Sequence, residues 1–373
     1  MAARPDTTGI LMMNLGGPAT LEAVGPFLHR LFTDAEIMQL PFQRRLGPFL
    51  ARRRTAKLQE LYRAIGGGDP ILRWTEAQGR GLVERLDALS AETAPHRFYP
   101  AFRYAEPFSE DALARMQRDG VRRAVALSMY PQFSCTTTGS SLNELWRAAR
   151  RLGVEEAFEW SVIDRWPTQA GLVAAHAEGI RAELELFEDG DDPVVVVFSA
   201  HSLPLRTIDA GDPYPHEVAA TVHEVVRRLG PGVEHVVAYQ SQVGPLRWQG
   251  PSTDDVIRGL ADQGRRRLLL VPIAFTSDHI ETLSEIDIEF AELAHALGIR
   301  EFRRAPALNA APRFLDALAE LVAEHLSSGR ACSPQYGLRC PGCTNSQCRA
   351  ILSPVGSQGA VTAAPTTGAV RAA

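Results

Sequence analysis

The sequence predicts an α/β protein built of two halves of similar design, each with a parallel sheet flanked by helices, followed by a short Cys-rich extension. Three observations carry this. Short apolar runs recur without polar alternation, which marks strands buried on both faces of a parallel sheet. Helical patterns fall between the runs. A faint internal repeat matches Gly120-Val121-Arg122-Arg123, leading into a strand that exits at Tyr130-Pro131-Gln132-Phe133-Ser134, with Gly264-Arg265-Arg266-Arg267, leading into one that exits at Pro272-Ile273-Ala274-Phe275-Thr276.

Taken along the chain, strands are expected at Ile10–Met13, Ala124–Leu127, Val194–Val197, His235–Ala238 and Leu268–Val271. Helices are expected over 74–90, 107–118, 139–151, 168–187, 216–229, 253–263 and 310–327. The 373 residues exceed what one core usually holds, so two units are expected, 1–165 and 166–330. Residues 331–349 then form a Cys-rich extension, and 350–373, poor in bulky apolar groups, read as a disordered tail.

Composition excludes several classes. Hydrophobic residues make up 45% and charged residues 22%, as in an ordinary globular protein. A net charge of −5 argues against a nucleic-acid partner. No apolar run approaches the roughly 18 residues needed to span a bilayer. The start, Met1 to Asp6, has no hydrophobic signal core and runs into a strand-like segment by Gly9, so a cytoplasmic protein is expected.

In open α/β sheets ligands bind beyond the carboxyl ends of the strands. Three unusual segments fall there: Tyr130–Cys135, Phe198–Pro204 and Phe275–Glu281. His201, His279, Asp278 and Glu281 suit an acid–base or metal-handling site. The bland alternatives are real: a lone His201 caps a loop about as often, and Asp278 with Glu281 has the spacing of a capping box. The row Glu281, Glu285, Glu289, Glu292 can carry cations or protons, or be a solvated helix face. The stretch from Phe27 to Leu50, broken by Pro41 and Pro48, is a buried hairpin or an apolar lip. With Arg44, Arg45 and Arg52 to Arg54, the lip reading suits an apolar anionic ligand or a membrane surface. Cys340, Cys343 and Cys348 space as C-x2-C-x4-C. With Cys135 as a distant fourth thiolate they could hold zinc or an iron–sulfur cluster, and spacing alone does not separate the two; Cys332 is then the spare.

Seven segments, in order, resemble the ferrochelatases, particularly the animal-type enzymes: GILMMNLGGP (9–18), IGGGDP (65–70), YPQFSCTTTGSSLN (130–143), FSAHSLP (198–204), GDPYP (211–215), QSQVGP (240–245) and PIAFTSDHIE (272–281). The resemblance spans nearly the whole chain. It implies two Rossmann-like halves in a chelatase fold, and a lyase that inserts Fe2+ into protoporphyrin IX with release of two protons. It further implies that His201 and Glu281 face the porphyrin core and the incoming iron, with Asp278, His279 and Glu285 nearby on a π-helical stretch. Leu15, Arg53, Arg54, Arg103, Tyr104, Tyr130, Trp166, Trp248 and Phe275 match pocket or pocket-support positions. Cys135, Cys340, Cys343 and Cys348 match the ligand set of the family's [2Fe–2S] members, and this favours Fe–S over zinc. On this reading neutral His201 is the general base, Glu281 assists, Glu285 and Asp278 relay protons or iron, and Arg53 and Arg54 hold the propionates. Peripheral contact of the lip (about 27–54) with the inner membrane and a homodimer are implied as well. Two departures stand out: Asp69 replaces a Ser, and the residues after Cys348 differ from the ending that helps animal enzymes dimerise. The competing readings are a chelatase for coproporphyrin III or another tetrapyrrole, and a non-catalytic tetrapyrrole-binding or Fe–S sensor protein.

Overall fold

The computed structural model describes residues 7–37, 40–188 and 190–334. Strand β1 (Thr7–Asn14) leads through helices α1 (Val24–Thr33), α2 (Gln43–Ala64) and α3 (Ile71–Leu89) to β2 (His96–Phe102). Then come α4 (Ser109–Arg118), β3 (Val121–Ser128), α5 (Ser140–Leu152) and β4 (Glu159–Ile163). Helix α6 (Ala170–Leu184) crosses to a second set: β5 (Val195–His201), α7 (Leu205–Asp209), α8 (Tyr214–Leu229), β6 (His235–Gln240), α9 (Thr253–Asp262) and β7 (Arg267–Pro272). A π-helix, Glu281–Phe290, continues as α10 (Ala291–Ala296), before β8 (Glu301–Arg304) and α11 (Pro312–Ser328).

Both sheets are wholly parallel, in the orders β2-β1-β3-β4 and β6-β5-β7-β8. The same order in each is the physical content of the faint repeat. In each sheet the chain steps first to one side of the leading strand and then to the other. The switch points therefore lie between β1 and β3 and between β5 and β7, where ligands of such sheets bind.

The central strands are buried on both faces. In β1, Ile10 and Met12 enter one layer and Leu11 and Met13 the other. The strands that periodicity did not reveal, β2, β4 and β8, are all at sheet edges. An edge strand has one side unpaired and tolerates polar residues: β4 and β8 carry them and Pro100 interrupts β2, whereas edge strand β6 keeps the apolar run that announces it. Pro100, which cannot donate to a ladder, is tolerated in β2 for that reason. The outer edge of β4 is covered by the start of the C-terminal extension: Val162 donates to the Ala331 carbonyl (3.0 Å) and accepts from the Ser333 N–H (2.9 Å).

The last helix returns to the first sheet. In α11, Phe314, Leu318 and Val322 are fully buried with Ile10 and Met12 of β1 and Leu82 and Leu86 of α3. Glycines let it approach closely on two sides. A Cβ on Gly81 would stand 2.5 Å from Leu315, and one on Gly171 of α6 would stand 2.5 Å from the Ala317 Cβ. Helix α6 itself serves both sheets, with Leu172 in the first core and Val173 and Ile180 in the second. Leu318→Ala should therefore destabilise the protein by about 2–5 kcal/mol, seen as a lower denaturant midpoint.

Helices α1 and α2 form a hairpin whose inner side buries Val24, Leu28, Phe32, Ala51 and Tyr62. Pro48 does not break α2; it lies inside it. Phe42, in the left-handed region (φ 50°), is 86% exposed at the start of α2, and Phe49 is 49% exposed. No helix among the described residues is long and apolar enough to cross a membrane.

Candidate active site

Four loops meet at the carboxyl ends of the strands: those after β1 and β3 from the first sheet and after β5 and β7 from the second. His201 is the last residue of β5, beside Gln240, the last of β6. Glu281 opens the π-helix that follows β7. Its Oε2 accepts from His201 Nδ1 at 3.0 Å and faces His279 Nε2 at 3.5 Å, so one carboxylate lies between two imidazoles.

The partners define the protons. An ionised carboxylate only accepts, so Nδ1 of His201 carries hydrogen and Nε2 is the nitrogen able to take a proton when the ring is neutral. His279 faces acceptors on both sides: Nδ1 contacts the Ser277 carbonyl at 3.1 Å and Nε2 the Glu281 carboxylate. It is therefore held as an imidazolium. Burial opposes that charge, but the Glu281 carboxylate and the Asp69 charge outweigh burial and push the His279 pKa up to about 9. In His201 burial likewise opposes the charge, and Glu281, then Glu285, reverse it, so its pKa is raised. Burial disfavours ionised Glu281, yet the two histidines hold its carboxyl well below the usual range.

Glu285 lies one step along the helix. It accepts from the Ser241 N–H (2.6 Å), the Ser241 hydroxyl and Gln240 Nε2 (2.9 Å). Ser241 is held in the left-handed region (φ 65°), which a non-glycine residue adopts at a cost, and there its N–H and hydroxyl reach the same carboxylate. Burial first, and then the Glu281 charge, raise the Glu285 pKa. On the other side Asp69, buried before α3, accepts from the Tyr62 hydroxyl (3.2 Å), the Ile71 N–H (3.0 Å) and the Ile280 N–H (3.4 Å). Burial raises its pKa against the pull of His279. The Phe275 ring packs 4.7 Å from that of His279. Half-buried Tyr130 donates to Asn14 Oδ1 (2.6 Å) and accepts from the Leu15 N–H (3.2 Å).

The structure thus brings His201, His279, Glu281 and Glu285 together, with Phe275 against His279; Leu15 and Tyr130 join each other at the exits of β1 and β3. Asp278 does not join the histidines. Its oxygens accept from the side chains of Thr282 (2.9 Å), Arg304 (3.1 Å) and Asn309 (2.7 Å). It does not form the capping box either, since the helix N-cap is Ile280 and no side chain caps it. Arg103 is clasped by Asp34, Glu36 and Glu144, and the Tyr104 hydroxyl donates to Asp34 (2.7 Å). Trp166 is a core residue, stacked on Phe314 and donating to the Ser128 carbonyl (2.9 Å). Trp248 lies in the loop after β6, donating to the Val243 carbonyl (3.0 Å). Arg53 and Arg54 are exposed on α2, Arg54 lying 5.6 Å from the Phe32 ring centre.

Cys135 starts a short π turn, Cys135–Gly139, that runs into α5, and its N–H donates to Asp212 (2.8 Å). Cys340, Cys343 and Cys348 lie outside the described residues, as does the tail at 350–373. Among the described residues no three His, Cys, Asp or Glu side chains are grouped to hold a metal ion. Sequence reasoning did not single out Tyr62, Gln240 or Ser241 as site residues and took Asp69 as a departure from the family's Ser. Polar residues at the end of β6, beside His201, were the available signal.

Residues 7–326 match the family model Ferrochelatase. "Ferrochelatase, mitochondrial" of Xenopus laevis is 53% identical over 352 residues, covering 93% of this chain and 86% of that one. The Homo sapiens enzyme is 51% identical over 352 residues (94% and 83%), and that of Schizosaccharomyces pombe 50% over 343 residues (91% and 81%). Among solved structures, "SirB from Bacillus subtilis with Fe3+" shares the fold at a TM-score of 0.50 and 12% identity, covering 87% of this chain and 98% of that one. The architecture is thus that of the chelatases. Within that class, the chain belongs to the ferrochelatase family, lyases that insert Fe2+ into protoporphyrin to form haem. The comparisons correct one expectation: these relatives are named mitochondrial, which points to the mitochondrion and not the cytoplasm.

Proposed function

We propose that His201 is the general base of iron insertion and that Glu281 orients it. The observation that carries this reading is the Glu281 carboxylate bound to His201 Nδ1, which directs Nε2 to an incoming proton. A free-base porphyrin holds two central N–H protons. Fe2+ seats as both leave, so the balance is Fe2+ plus porphyrin giving haem and two protons. Neutral His201 takes a pyrrole proton at Nε2, and the charge that develops is stabilised by Glu281. That proton leaves Nε2 for solvent before the second is taken, which restores the neutral ring with its Nδ1 hydrogen still on Glu281. His279, already an imidazolium, keeps Glu281 ionised. The substrate iron meets His201 and Glu281. Phe275, Tyr130 and Trp248 supply apolar and aromatic packing, Leu15 lines the β1 exit, and Arg53 and Arg54 pair with the propionates. Arg103, Tyr104 and Trp166, all buried, support the pocket without lining it. Anaerobic Fe2+ insertion, followed as loss of porphyrin fluorescence, tests this. Turnover that vanishes with His201 while porphyrin still binds supports it, and turnover that persists removes His201 from the mechanism.

Cys135, Cys340, Cys343 and Cys348 would hold a [2Fe–2S] cluster. Half-buried Cys135 fits, since a thiol at a helix N-terminus is favoured as thiolate. Insertion needs no electron transfer, so the cluster supplies structure or sensing. Cys135→Ser protein, purified anaerobically, should lose the visible absorption of the cluster and its bound iron and sulfide. Retention of both would remove Cys135 from the ligand set. The exposed Phe42 and Phe49, with the arginines of α2, suit peripheral contact with an anionic membrane surface.

A further inference from the structure

We propose that Arg304 is a positioning residue that holds the π-helix in register and thereby aims Glu281 and Glu285 at the reacting centre. This rests on the reading that Glu281 serves His201. π-Helical turns are rare and occur mostly singly inside α-helices, yet here Glu281–Phe290 runs for 10 residues. Such a run needs partners outside itself. Arg304, the last residue of edge strand β8, supplies two at once. Its Nε and Nη2 grip both oxygens of Asp287, in the second turn, at 2.6 and 2.9 Å, while Nη1 reaches Asp278, just before the helix, at 3.1 Å.

One planar guanidinium thus spans a stretch that contains both Glu281 and Glu285. If the run tightened to the i→i+4 pattern of an α-helix, Asp287 would rotate about the axis and could not stay paired while Asp278 remained in place. The Asp278 end is fixed independently: its N–H donates to Asn309 Oδ1 (2.8 Å), and Gln78 of α3, buried, donates to both the Asn309 and Thr276 carbonyls at 2.9 Å. With one end anchored to the first half of the molecule, the Asp287 end is the adjustable one, and Arg304 is what sets it. The bidentate fork matters here, since a lysine offers a point charge and cannot hold two carboxylates in one geometry.

The test is steady-state insertion by Arg304→Ala, Arg304→Lys, Asp287→Ala and the Arg304→Ala/Asp287→Ala double variant, each checked for folding by circular dichroism. Misplacement of the glutamates should lower kcat by about 10- to 100-fold in either alanine variant, with porphyrin KM nearly unchanged. Lysine should recover only part of the loss. The double variant should be no worse than the poorer single one, because both remove one clamp. Wild-type kcat in Arg304→Ala, full recovery by lysine, additive losses, or a parallel fall of KM, kcat and folded fraction would each overturn the proposal. If Glu281→Gln retains full turnover, the reading beneath it falls instead; if Glu281→Gln is impaired and Arg304→Ala is not, the clamp alone falls.

Discussion

Replacing His201 by alanine should lower Fe2+ insertion by about 100-fold or more while leaving porphyrin binding in place. The side chain ends β5 and is 36% exposed, so its loss opens no core cavity and unfolding is not the expected cause of inactivity. What disappears is a proton acceptor at the point where two pyrrole protons must leave. His279 cannot substitute, because both of its nitrogens already face acceptors. Glu281 alone is a poor replacement, since its carboxyl is held well below the usual range and so binds protons weakly. The measurement pairs single-turnover insertion with binding by porphyrin fluorescence. An unchanged insertion rate would assign the base elsewhere.

Glu281→Gln should lower the plateau rate by a comparable factor, about 100-fold, and also move the acid limb of the pH profile. The direction follows from the opposing influences on His201. Burial disfavours the imidazolium and Glu281 favours it, with the net result that the pKa is raised. In the native enzyme the neutral base becomes available only as pH rises through that raised value. With glutamine, burial is less opposed, the pKa falls, and the limb moves to lower pH. His279 should lose part of its own elevation, about 9 in the native protein, for the same reason. The profile of kcat against pH for both proteins checks this. A limb that stays in place would show that Glu281 does not set the protonation of His201.

The residues of the cluster differ in how legible they were. His201, His279, Glu281 and Glu285 stand in or just after segments that follow apolar runs, and the carboxyl ends of parallel strands are where such folds bind ligands. Apolar runs located β1, β3, β5, β6 and β7, and the resemblance assigned the chemistry. Asp278 shows the limit: its spacing allowed both a site role and a helix-start role, and the structure instead pairs its carboxylate with the side chains of Arg304 and Asn309, 26 and 31 residues away in sequence. Arg103 matched a pocket position, yet three carboxylates enclose it. Asp69 read as a departure from the family's Ser, and its burial against Tyr62 and Ile280 is a product of packing.

The amino-acid sequence by itself determined the central strands, the helices between them and the doubled design, because runs and periods are local and survive without knowledge of the partner. Tertiary structure alone decided the edge strands β2, β4 and β8, whose apolar runs are short or interrupted. It also decided the return of α11 to the first sheet, which depends on small residues, Gly81 and Gly171, on two other helices. The same holds for the site's electrostatics. A carboxylate between two imidazoles takes its properties from burial and from distances of 3.0 and 3.5 Å, and these arise only when β5 and the π-helix are brought side by side.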